Sequence, residues 1–342
     1  MSTNSKTGIL LVNLGTPDSP ATADVRKYLV EFLNDKRVID IPALQRKLLV
    51  NFIIAPTRAP KSAAQYKEVW TKEGSPLLIY GQKLKDKLQK HLGDNYIVEL
   101  AMRYQKPSLK VAIDKLTGNG EIEKLIIVPL YPHYASSSTG STVEKVMELL
   151  KAKEIIPHTT IVGPFFNNAS YIDAFAKIIQ RQNNIADYDH FLFSYHGLPE
   201  RHIMKGSAQC GMDCNLGDCC NKLTAKNFNC YRAECFETTR LFVKALNLKE
   251  GTYSSAFQSR LGLDPWIKPY TDKTIEELAK KGVKKILAFS PAFVADCLET
   301  LFEIRIEYNH LFQKHGGTHL HLAESLNDND EWVKALAEII AN

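Results

Sequence analysis

The chain alternates short apolar runs with stretches of helical periodicity almost from end to end, and this alternation narrows the fold more than any single motif does. Runs at residues 8–14, 96–103, 125–131, 159–164, 191–195, 253–258 and 286–290, with another near Leu320, have strand character. Between them, apolar residues recur at helical spacing, as in Val25, Tyr28, Leu29, Phe32 and Leu33. Strands separated by helices form parallel sheets covered on both faces, so the expected class is α/β. Ser19-Pro20 and Ser75-Pro76 open helices, with proline at a tolerated first position. A helix starting at Pro42 is expected to stop at Pro56, because proline breaks a helix interior.

A faint internal repeat runs through the alternation. LLVNLGTPDSP has the form of FLFSYHGLPER, and LIIVPLYPHYASSSTGS has the form of ILAFSPAFVADCLET. The repeat points to two doubly wound lobes facing each other across a cleft. The expected division is 1–175 for the first lobe, 176–315 for the second, and a C-terminal strand and helix, 316–342, packing back on the first. The total of 342 residues leaves room for two such cores.

Several function classes drop out. No G-x-G-x-x-G follows a strand and no G-x-x-x-x-G-K-[ST] occurs, so a nucleotide phosphate site has no support. No G-x-S-x-G elbow occurs either. The net charge of +5 is mild, and clusters such as KLKDKLQK read as solvated faces rather than a nucleic-acid surface. No apolar run approaches the roughly 18 residues of a membrane span. The start, MSTNSKTG, is polar and lacks the apolar core of an export signal. A cytoplasmic protein is expected, touching membrane at most peripherally, through the apolar residues of 44–54.

Two strand ends carry the chemistry. His196 follows the run FLFSY and precedes Gly197, and Glu299 falls at the start of a helix opening near Asp296, after the run ending at Ser290-Pro291. Ligands of open α/β sheets bind beyond the carboxyl ends of strands. Imidazole is both a proton carrier and a metal ligand near neutral pH. Alone, His196 reads as structural and Glu299 as a carboxylate favoured by the helix dipole; their matching contexts make the pair informative. The turn containing Ser137 and Thr139 reads as a plain loop or as an anion site at a helix N-terminus.

Six of the seven cysteines lie between Cys210 and Cys235, which asks for a metal or cluster. Cysteines in a chain without an export signal are expected to be reduced thiols. The segment contains no C-x-x-C pair, so a zinc ribbon fits poorly. Cys214-x4-Cys219 matches only the first step of the plant-type ferredoxin pattern. Spacing therefore leaves the metal open.

Taken together, LVNLGTP, Arg103-Tyr104, YPHYASSSTGS, SYHGLPERH, FQSRLG with PWIKPYTD, and SPAFVADCLETLFE resemble the ferrochelatase family, in order and over nearly the whole chain. The resemblance implies two Rossmann-like lobes around a porphyrin cleft. It also implies insertion of Fe2+ into protoporphyrin IX or a close porphyrin, with release of two protons. His196 and Glu299 match the family's active-site histidine and glutamate, and so are the residues expected to meet Fe2+. Asn13, Leu14, Arg103, Tyr104, Tyr131, Ser137, Thr139 and Trp266 match positions that line the porphyrin cleft or its rim. Arg103 is expected to pair with a propionate and Trp266 to stack on the ring. Cys297 stands where some relatives have histidine. The insert at 207–230 is similar to the cysteine-rich segment of bacterial ferrochelatases that hold a [2Fe-2S] cluster. The expected ligands are Cys210, Cys214, Cys230 and one of Cys219 or Cys220, with zinc as the alternative. Cys235 ranks below them, since it matches a cysteine of relatives without the insert. Two other readings stand beside this one: a chelatase for another metal or tetrapyrrole, and a haem or metal carrier without turnover. The His196–Glu299 pair favours an enzyme, because a carrier needs no proton acceptor.

Overall fold

The computed structural model describes residues 6–118, 120–212, 214–260, 262 and 264–341. The first five residues of the polar start, and Asp213 in the cysteine-rich segment, lie outside the described residues. The chain divides into two units: Met1–Tyr131, Ala135–Gly163 and Asn327–Asn342 form unit 1, and Pro132–Tyr134 with Pro164–Leu326 form unit 2.

In unit 1 the first strand, β1 (Lys6–Gly15), carries Ile9, Leu10, Leu11 and Val12 in succession, all fully buried. A strand apolar on both faces belongs in the middle of a sheet. β1 lies between β2 (Tyr96–Tyr104) and β3 (Ile122–Pro129), and β4 (His158–Ile161) closes the order β2-β1-β3-β4, all parallel. The helices are α1 (Thr22–Leu33), α2 (Ala43–Leu48), α3 (Ala55–Val69), α4 (Pro76–Leu92), α5 (Leu109–Thr117) and α6 (Ser141–Leu150). Leu10 and Val12 pack with Ile113 and Leu116 of α5 and Val146 of α6 in one core cluster. Gly15 closes β1 at φ +122, and a Cβ there would lie 2.1 Å from the Tyr104 carbonyl oxygen. Only glycine permits that approach.

Unit 2 repeats the plan with β5 (His190–His196), β6 (Tyr253–Gln258), β7 (Lys285–Phe289) and β8 (His319–Leu322) in the parallel order β6-β5-β7-β8. Its helices are α7 (Ala169–Gln182), α8 (Glu200–Gln209), α9 (Tyr231–Ala245), α10 (Thr271–Lys280) and α11 (Asn309–Lys314). A π-helical stretch, Glu299–Tyr308, runs directly into α11. Ile304, Tyr308 and Phe312 of this long helix pack with Leu192, Ile286 and Leu320. The last helix, α12 (Asp330–Ala341), belongs to unit 1, where it packs on α4 and buries Trp332 and Leu336.

Two expected helix limits fail in unit 1. α1 starts at Thr22 with Ala21 as its N-cap, so Pro20 stands outside it. The helix beginning after Pro42 does not stop at Pro56 but continues, through a π-helical stretch Leu49–Ile54 and into α3, as far as Val69. The proline falls where the ladder passes from π to α register, so its missing N–H falls where the regular pairing is already interrupted. Thr57 Oγ1 donates to the carbonyls of Ile53 and Ile54, at 2.7 and 3.1 Å, and takes up acceptors there.

Candidate active site

Period-two alternation puts Leu192, Ser194 and His196 on one face of β5, the face that packs against α10 and the long helix. His196, half-buried, is the last residue of the strand. Its Nδ1 lies 2.6 Å from the Gly197 carbonyl oxygen. A carbonyl only accepts, so Nδ1 carries the proton and Nε2 keeps its lone pair. The ring sits 6.4 Å from that of Trp266 and 6.4 Å from that of Phe293. Tyr231, in the first turn of α9, donates its hydroxyl to the His196 carbonyl at 2.8 Å.

Glu299 opens the π-helical stretch and is half-buried. What ties it to His196 is a residue that sequence reasoning passed over. Gln258 is the cross-strand neighbour of His196. Its Nε2 donates to the Glu299 carbonyl and to Glu303 Oε2, each at 3.1 Å, while its Oε1 accepts from Ser194 Oγ at 2.7 Å. Glu303, one turn beyond Glu299, also accepts from the Ser259 N–H at 2.9 Å, from the Ser259 hydroxyl and from Tyr308 OH at 2.7 Å. Burial, helped by the Glu299 charge, pushes the Cys297 thiol well up. Cys297 is thus a neutral buried neighbour of the glutamate. The only advance signal for Gln258 was its place at a strand end.

Behind β5, still in unit 2, lie two buried titratable groups. Thr238 Oγ1 spends its hydrogen on the carbonyls of Glu234 and Phe166, so His133 Nε2, 2.9 Å away, must be the donor to it. Burial pushes His133 down to about 3. Glu234 Oε2 accepts the Tyr134 N–H at 2.7 Å, and burial pushes its carboxyl up to about 8.

The cysteine-rich segment connects α8 to α9. Four of its sulfurs form a chain: Cys214 to Cys219 at 3.8 Å, Cys219 to Cys220 at 3.7 Å, and Cys220 to Cys230 at 3.9 Å. Cys210 caps the end of α8, is exposed, and stands outside that chain. Cys230 is the N-cap of α9. The hydrogen bond with Cys220, then the backbone N–H groups of Ala233 and Arg232, hold its thiol below the ordinary value. The same bond and burial push Cys220 up. Of the two, Cys230, at the N-terminus of α9, is the thiol that ionises more readily. Among the described residues, no three His, Cys, Asp or Glu side chains converge as a single metal ion would require.

In unit 1, the expected residues collect at the carboxyl ends of β1 and β2 and in the turn before α6. Asn13 is buried, its Oδ1 accepting the Leu14 N–H at 2.9 Å. Asp35 binds three of their neighbours through one oxygen, Oδ2: Arg103 Nη2 at 2.7 Å, Tyr104 OH at 2.9 Å and Ser141 Oγ at 2.5 Å. Burial pushes the Asp35 carboxyl up, but these hydrogen bonds and the Arg103 charge hold it below the ordinary value. Arg103 Nε is turned onto Ser141 as well, so most of its donors stay inside the protein. Tyr131 OH reaches Thr142 at 3.5 Å. Ser137 and Thr139 lie in a short π-turn, 136–140, and Thr139 Oγ1 is buried without a partner among the described residues.

Comparison with known proteins adds the chemistry. The family model described as Ferrochelatase matches residues 6–342. A ferrochelatase of Coxiella burnetii (strain Dugway 5J108-111) is 46% identical over 336 residues, 98% of this chain and 93% of that protein. A ferrochelatase of Legionella pneumophila (strain Lens) is 47% identical over 333 residues, 97% of this chain and 98% of that protein. Among solved structures, SirB from Bacillus subtilis with Fe3+ aligns at a TM-score of 0.50 with 11% identity, over 98% of this chain and 96% of that one. That last likeness is one of fold.

Proposed function

The chain belongs to the ferrochelatase family and inserts ferrous iron into a porphyrin to make haem, and on that premise we propose that His196 and Glu299 carry out the insertion. A free-base porphyrin must lose two pyrrole N–H protons before a metal can sit in its plane. His196 Nε2 is the nitrogen left with a lone pair, and it accepts a pyrrole proton. Glu299 supplies the negative charge that draws Fe2+ from water and passes protons outward. The observation that carries this reading is the Gln258 bridge, which ties the strand of His196 to the helix start of Glu299. Trp266, whose ring neighbours His196, offers an apolar face to the macrocycle. Asn13, Leu14, Tyr104, Tyr131, Ser137 and Thr139 are read as further porphyrin contacts, and Arg103 as a residue that orders their turn through Asp35 rather than a free propionate clamp. The test is haem formation, followed by absorbance, from Fe2+ and a set of porphyrins with wild type and His196→Ala. The variant is expected to bind porphyrin and not metallate it; normal turnover would sink the assignment.

The cysteine segment is read as the seat of a [2Fe-2S] cluster. Thiolates sharing one tetrahedral metal at about 2.3 Å lie about 3.8 Å apart. The Cys214–Cys219 and Cys220–Cys230 separations, 3.8 and 3.9 Å, fit that spacing as two pairs, while Cys219 and Cys220, 3.7 Å apart, stand closer than thiolates on different irons would. A chain of four suits two centres with two thiolates each better than one ion. Cys214, Cys219, Cys220 and Cys230 are the ligands this favours, with Cys210 outside. Metal insertion moves no electrons, so the cluster would serve folding or sensing. Iron and inorganic sulfide in protein purified without oxygen support it; a colourless protein holding zinc and no sulfide ends it.

Peripheral membrane contact is also proposed, with the protein on the cytoplasmic side. Among the described residues no helix is long and apolar enough to cross a membrane. The helix of residues 43–69, however, leaves Leu44 71% and Phe52 74% exposed, with Leu48 and Ile53 beside them.

A further inference from the structure

Arg232 is a buried cation with no carboxylate counter-ion among the described residues. Only 9% of it is exposed. Its Nη1 donates to the Gly217 carbonyl at 2.9 Å and its Nε to the Lys268 carbonyl at 3.2 Å, while its guanidinium lies 4.7 Å above the Phe236 ring. Among the described residues no carboxylate pairs with it. Leaving a guanidinium so placed costs stability unless a negative group lies near. What lies near is sulfur. Gly217 precedes Cys219 and Cys220, and Cys230 stands two residues before Arg232.

We infer that Arg232 is the built-in counter-charge of the metal–thiolate group at Cys214, Cys219, Cys220 and Cys230, and that it couples occupancy of that group to the Trp266 loop. The inference rests on the cluster reading above. A [2Fe-2S] group on four thiolates is anionic in both oxidation states, and a cation beside it favours the more negative, reduced one. The second carbonyl that Arg232 grips, Lys268, is two residues from Trp266, whose ring neighbours His196. Arg232 is thus a positioning residue: it touches neither iron nor porphyrin, and it joins the cysteine segment to the wall beside His196.

The test compares full-length wild type, Arg232→Gln and Arg232→Lys, all purified without oxygen. In Arg232→Gln, iron and sulfide content fall severalfold, and the cluster that remains is reduced at a lower midpoint potential in a dye-mediated titration. Arg232→Lys keeps the charge and recovers most of the potential, which also separates charge loss from misfolding. Trp266 emission, isolated by replacing Trp70 and Trp332 with Phe, shifts on chelation of iron in wild type and does not in Arg232→Gln. Unchanged iron, potential and emission in Arg232→Gln would overturn the inference while leaving the cluster reading intact. A wild type holding zinc without sulfide ends the cluster reading instead. Arg232 is then judged by zinc affinity: a severalfold loss in Arg232→Gln upholds its role and an equal affinity ends it.

Discussion

Gly197 shows how little freedom the strand end at His196 has. A Cβ on it would lie 2.8 Å from the Gln258 carbonyl oxygen and 3.2 Å from the Trp266 ring. The first of these is backbone and cannot swing aside. Gly197→Ala is therefore expected to cost about 1–3 kcal/mol, read by urea denaturation, and to lower turnover by displacing His196. Glu299→Gln keeps shape and removes charge. Turnover should fall sharply with the melting temperature held, because a purely helix-terminal carboxylate contributes on the order of 1 kcal/mol. Unchanged kinetics with a lowered melting point would make it a structural cap. The strand end at His196 and the helix start at Glu299 were legible in the sequence because each follows an apolar run at a Gly or Pro break. Gln258 and Glu303 were not legible. Each looks like an ordinary strand-end or helix residue, and their meeting depends on β6 lying beside β5, which no local pattern encodes.

At the scale of elements, the strands were the most readable, since an unbroken apolar run has few other uses; β6 matches its expected limits of 253–258. Helix ends were less so. Pro56 read as a stop because proline removes a ladder donor, but the π-helical turns ahead of it had already relaxed that ladder. The result is one continuous rod with an apolar strip in solvent. Flotation with liposomes should recover the wild type and lose Leu48→Asp with Phe52→Asp, without a change in melting temperature, since both side chains are exposed. Equal flotation of both proteins, or none, would remove the membrane role. In the cysteine segment, the number of thiols was readable but not which ones gather, because α8 runs on to Gln209 and leaves Cys210 at its exposed end.

Across the whole molecule, both sheets share one strand order, and the faint repeat of strand-turn strings was its trace in the sequence. The buried pair in unit 2 predicts how stability follows pH. His133 falls from 6.5 to about 3 on folding, so its contribution is lost as pH drops below 6.5. Glu234 rises from 4.5 to about 8, so its contribution is present below 4.5 and lost as pH climbs toward 8. Between 4.5 and 6.5 the two slopes oppose and cancel. Urea midpoints should show a plateau there, declining on both sides, and Glu234→Gln should flatten the alkaline limb and turn the plateau into a continued rise toward pH 6.5, because the His133 slope is then unopposed. A decline above pH 6.5 that survives in Glu234→Gln would refute the assignment.

The placement of α12 bears on the order in which the protein takes shape during synthesis. Segment 327–342 belongs to unit 1, anchored on α4 by Trp332 and by the Lys87 contacts with Asp328 and Asp330 at 3.1 and 3.0 Å. It leaves the ribosome only after every residue of unit 2. The half of the protein made first must therefore wait, with one helix face of its core uncovered, while the half made second can close without interruption. Nascent chains halted before Asp330 should accordingly be protease-resistant in unit 2 and open to cleavage or chaperone capture in unit 1.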